Sequence, residues 1–97
     1  MPYVVMVDDN YHYMEGDARY KHGEFVDAGV AIDHCRKIVD EYLESTYKPG
    51  TAAEDLLASY QMFGEDPFIL SVDVTPVLFS AWEYARQRCA DLCHRKP

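Results

Sequence analysis

Asp8, Asp9, His12, Glu15 and Asp17 fall within ten residues of one another. Carboxylates with an imidazole are ligand types that divalent cations accept, and they are also the groups that move protons. The functional reading of this stretch is therefore a cation or acid/base site, with Asp8, Asp9 and His12 as candidate metal ligands and Asp9, His12 and Glu15 as candidate binding residues. The bland reading is a solvated turn: the spacing matches no calcium loop, and acids after a strand commonly end it by hydrogen-bonding their own backbone. A second group lies in Tyr60-Gln61-Met62-Phe63-Gly64-Glu65-Asp66-Pro67-Phe68, where Glu65 and Asp66 sit between Phe63 and Phe68. An aromatic and acidic corner suits docking of a basic protein surface. Equally, the two rings plug the core and the two acids keep a turn wet.

The remaining reactive side chains read as structural. Cys35, Cys89 and Cys93, with His34 and His94 beside two of them, offer zinc-ligand types. Each cysteine nevertheless falls on the apolar stripe of its own helix, where a free thiol packs as a small apolar group. Three cysteines form no secreted disulfide framework, which points to a reducing compartment and a cytoplasmic setting. His22 in an expected strand is read as a plain hydrogen-bonding residue. The opening Met1-Pro2 before a strand resembles the tautomerase superfamily, in which an amino-terminal proline serves as general base. The likeness covers those residues only: no second β-α-β unit follows, and Arg19 is the first arginine. No cofactor is implied by any motif.

Charge separates the partner classes. Seventeen carboxylates against nine Lys plus Arg give a formal net charge of −8 over 97 residues. That balance disfavours long-range attraction to nucleic-acid backbones and anionic membrane surfaces. The excess is uneven. Between Pro49 and Ala85 six carboxylates occur without a lysine or arginine, whereas Arg86, Arg88, Arg95 and Lys96 give the C-terminus the opposite sign.

The elements that must position these groups follow from periodicity. A chain this short, 48% hydrophobic and rich in tyrosine, is expected to form one α+β domain with the order β-β-α-α-β-α, a three-stranded mostly antiparallel sheet packed against helices. Tyr3 to Val7 is apolar throughout and reads as a central strand ended by Asp8-Asp9-Asn10. Arg19 to Phe25 pairs with it, Gly23 marking a bulge. Asp27 caps a helix with the stripe Ala28, Ala31, Ile32, Cys35, Ile38, Val39, Tyr42 and Leu43. Thr51-Ala52-Ala53-Glu54 matches a capping box, and Gly64 suits a left-handed position closing the second helix. Phe68 to Val72 is the third strand. Thr75-Pro76 reads as N-cap and first residue of a last helix running to about His94, with Leu78, Ala81, Trp82, Ala85, Cys89, Leu92 and Cys93 inward.

Four stretches taken together, Tyr3-Val4-Val5-Met6-Val7-Asp8-Asp9-Asn10-Tyr11-His12-Tyr13-Met14, Gly23-Glu24-Phe25, Lys37-Ile38-Val39-Asp40-Glu41 and Met62-Phe63-Gly64-Glu65-Asp66-Pro67-Phe68, resemble a family of short bacterial proteins without an assigned activity. The resemblance implies one complete domain in a bacterial cytoplasm and transfers no catalytic or binding residue. From the residues alone, the expectation is a non-enzymatic binding or protein-interaction module that takes a basic protein partner. The alternative is an enzyme or divalent-metal-binding protein using Asp8, Asp9 and His12.

Overall fold

The computed structural model describes residues 2–9 and 19–93. Their order is β1 (Tyr3–Asp9), β2 (Arg19–Phe25), α1 (Ala28–Thr46), α2 (Ala53–Phe63), β3 (Glu65–Ser71) and α3 (Ala81–Cys93). The three strands form one antiparallel sheet in the order β2-β1-β3. The apolar β1 takes the central place expected of it, and Val5 and Val7 are completely buried. The register slips between Val5 and Met6, leaving His22 as the extra residue of β2 beside Gly23. That bulge turns His22 Nε2 to within 3.0 Å of His34 Nδ1 on α1.

α1 divides its buried face between two cores. Ala31 and Cys35 pack with Val5 and, around them, Tyr3, Phe25, Ile38 and Ile69 against the sheet. Val39 and Leu43, on the next two turns, join Leu56, Tyr60, Ala81, Ala85, Cys89 and Leu92 in a core between the helices. Phe79 packs against both clusters and links them. Asp27 caps α1 as expected, its Oδ1 accepting from the N–H of Gly29 at 2.7 Å and of Val30 at 3.3 Å. Cys35 and Cys89 are buried free thiols, and burial pushes them up to about 12 and about 11, so they serve as packing groups.

Several boundaries differ from expectation. The N-cap of α2 is Ala52, without a side-chain capping bond, so Thr51 does not close the expected box. Gly64 has φ −81° and ψ −176°, an extended conformation open to any residue. Its requirement is close approach: a Cβ there would lie 2.5 Å from Cδ1 of Tyr60 and 2.8 Å from the Tyr60 carbonyl oxygen. The chain therefore passes from α2 into β3 with one residue between them, and β3 begins at Glu65 rather than Phe68. α3 begins at Ala81 rather than Pro76. Ser80 caps it, its Oγ accepting from the Glu83 N–H at 3.2 Å and its carbonyl from the Tyr84 N–H at 3.0 Å. Leu78, placed on the inner stripe by helical spacing, is 95% exposed because residues 75–80 are not helical. Trp82 is also substantially exposed.

Candidate functional site

Four acidic residues that the sequence divides between a loop and a corner, Asp8, Asp9, Glu65 and Asp66, meet at one end of the sheet. β1 continues through Asp8 and Asp9, and β3 opens with Glu65 and Asp66. The antiparallel register sets Asp8 opposite Asp66 and Asp9 opposite Glu65. Strand alternation places Asp8 and Asp66 on one face, with Val4, Met6, Phe68 and Leu70, and Asp9 and Glu65 on the other, which carries Val5 and Val7 towards the helices. Turn formation, which would have left Asp8 and Asp9 in water, gives way to ladder pairing, Asp8 with a strand on each side and Asp9 with β3.

The acids at this end are held in different ways. Across from Asp8 on β2 is Arg19, whose Nε and Nη2 reach the two carboxylate oxygens at 2.6 and 3.0 Å. Both oxygens of Asp8 are thus engaged by one guanidinium, which also lies 5.0 Å over the Phe68 ring. Glu65 accepts a hydrogen bond from the Tyr20 hydroxyl, and burial with that bond to a carboxylate raises the Tyr20 phenol well above its ordinary range. The backbone of Glu65 is fixed from below: the buried Tyr60 hydroxyl donates to its carbonyl at 2.7 Å. Asp66 has no hydrogen-bond or ion-pair partner among the described residues. Partial burial, then repulsion from Asp8, pushes it up to about 6.

Beside Asp66 is a cleft of about 280 Å3 between β3 and the chain entering α3, lined by Asp66, Pro67, Phe68 and residues 79–82. Phe79, which packs against both cores, half-exposed Trp82 and Phe68 are the aromatic residues of its lining. Phe63, at the end of α2, is half-exposed rather than a core plug. His12 and Glu15 lie outside the described residues. Among those described, no group of three or more His, Cys, Asp or Glu side chains is arranged to hold a metal ion.

The juxtaposition of Asp8 and Asp9 with Glu65 and Asp66 has no local signal in the sequence, because it depends on which strand pairs with which. The cleft shares that invisibility, though Ser80-Ala81-Trp82-Glu83 carries the capping signature that would have put Trp82 in the first turn of α3. Comparison of the chain with protein-family models, curated proteins and solved structures finds no match. No helix among the described residues is long and apolar enough to cross a membrane.

Proposed function

We propose that the protein is a non-enzymatic interaction module that docks a basic protein surface on the acidic end of its sheet. The observation that supports this most directly is the cross-strand meeting of Asp8, Asp9, Glu65 and Asp66. Like charges directly opposed on a ladder destabilise a sheet, and a cationic partner surface would relieve the repulsion on binding. Arg19 is committed to Asp8 through both guanidinium bonds, which leaves the acidic side of the pair dominant. The exposed apolar side chains Met62 and Phe63, which directly precede Gly64 and the acidic start of β3, give such a surface something to cover.

The test is a titration of isotopically labelled protein with a hexalysine peptide, followed by amide shifts. Shifts are expected at residues 8, 9, 65 and 66, weakening with added salt. Charge reversal in a Glu65→Lys, Asp66→Lys variant is expected to abolish them while the remaining spectrum stays dispersed. Unchanged binding by that folded variant would sink the proposal.

A further inference from the structure

Resting on that docking reading, we infer that the cleft beside β3 is the specificity pocket of the interface and receives one lysine or arginine side chain, its cationic head on Asp66 and its stem against Trp82 and Phe79. Three observations carry this. Asp66 lines the cleft and is without a partner among the described residues, whereas neighbouring Asp8 and Glu65 both have one. The walls are aromatic, and aromatic faces attract cations while covering the methylene stem of a long basic side chain. Phe68 already carries the Arg19 guanidinium at 5.0 Å, so the principal ring left for an incoming cation is Trp82, which is 44% exposed. The volume accommodates such a group. A cleft of about 280 Å3 has room for a single side chain.

Seating a cation there would also lower the energy of the charged carboxylate. The elevated titration of Asp66 has burial as its larger cause and Asp8 as its second, and an ammonium or guanidinium in the cleft opposes both. The other charged and titratable groups around Asp66 are Glu65 next to it in β3, Arg19 across the sheet on Asp8, buried Tyr60 from α2 and buried Cys35 from α1. None of the last three supplies Asp66 with a bond.

Trp82 is the sole tryptophan, so its fluorescence reports on the cleft directly. Titration with hexalysine and with hexa-arginine should give a saturable change in Trp82 emission, absent with hexaglutamine. Asp66→Asn should weaken the affinity about tenfold, the loss of one charge-assisted hydrogen bond. Equal affinity of the folded Asp66→Asn variant, or a response to hexaglutamine as large as to the cationic peptides, would overturn the inference. If the basic peptides shift the amides of Asp8, Asp9 and Glu65 while Trp82 stays silent, the cleft assignment falls and the docking reading stands. If neither readout responds, both fall.

Discussion

Asp40 and Asp66 are both partly buried carboxylates, yet their surroundings treat them in opposite ways. Asp40, on α1, accepts from the Tyr84 hydroxyl at 3.1 and 2.9 Å and from Arg88 Nε at 2.9 Å, both on α3. Arg88 reaches on towards Glu44 and Asp91, and its side chain is only 20% exposed. Tyr84, pushed up to about 12 by burial and by its bond to Asp40, remains a donor throughout the physiological range. Here acid, base and hydroxyl tie two helices together and satisfy one another. At the sheet end Asp66 faces Asp8, whose charge is already committed to Arg19, and gains no bond from the described residues. The same excess of acid therefore stabilises the helix pair and strains the sheet end. Sites that give up stability in this way are the natural places to look for binding, which is why the proposed docking surface is at β1 and β3 and not along α1.

The largest effect expected at the sheet end comes from a residue without charge. Gly64 delivers Glu65 and Asp66 to their places opposite Asp9 and Asp8, and it does so by passing close under Tyr60. Gly64→Ala should cost about 2–3 kcal/mol, because the Tyr60 ring and its backbone oxygen must both yield. Thermal melting should register this as a drop of roughly 10 °C or more. A drop of only a degree or two would mean that the α2–β3 junction gives freely and that the acidic end is not rigidly placed. On the other side of the comparison, Arg88→Ala should cost about 1–2 kcal/mol by taking the cation from Asp40, which then keeps only the Tyr84 hydroxyl. Basic-peptide binding should be unaffected, and a loss of binding in that variant would erase the distinction between the two regions.

The element order, the central place of β1 and the buried face of α1 were all legible in the chain, because periodicity of apolar residues reports burial directly. Ala31, Cys35, Val39 and Leu43 recur every fourth residue and are all fully buried. What was not legible was set by contacts distant in sequence. Asp and Glu are poor strand formers, so local preference ends β1 at Val7 and delays β3 to Phe68, and only pairing extends both into the acids. Capping signatures misled in a related way. Thr51-Ala52-Ala53-Glu54 and Ser80-Ala81-Trp82-Glu83 fit the same pattern, yet a side-chain cap forms at Ser80 and not at Ala52, where α2 starts. The glycine expected to turn left-handed is instead the residue that lets Tyr60 pack. Asp8 and Asp9 at the end of β1 and Glu65 and Asp66 at the start of β3, far apart in the chain, therefore lie opposite one another only through strand pairing.

Removing the charge at Asp66 should stabilise the fold, the reverse of what substitution at the helix pair does. Its folded-state titration lies near 6 against an ordinary value of 3.8. The folded protein thus holds this proton more tightly than the unfolded chain does. The associated stability is fully present below the unfolded value and is lost as pH rises through about 6. Asp66→Asn, uncharged at every pH, should therefore exceed the parent by about 1 kcal/mol at pH 7 after allowance for solvent screening, with the gap closing towards pH 4. Urea unfolding across that range measures it, and parallel stability curves for the two proteins would refute the assignment.

The smallest effect is expected two residues from Arg88 on the same helix. Arg86 also contacts an acid, Glu83 one turn earlier at 3.3 Å, but both side chains are about two-thirds exposed. An exposed pair of this kind contributes little, because water and salt screen the attraction and two long side chains lose freedom in holding it. Arg86→Ala should change stability by no more than about 0.5 kcal/mol, against the larger loss for Arg88→Ala. Each variant removes one cation from α3 and so changes the net charge equally. If the two proved alike, charge balance and not the Asp40 network would account for the stabilisation between α1 and α3. A clear separation between them would locate that stabilisation in the bonds of Arg88 to a shielded partner, the very condition that Asp66 lacks.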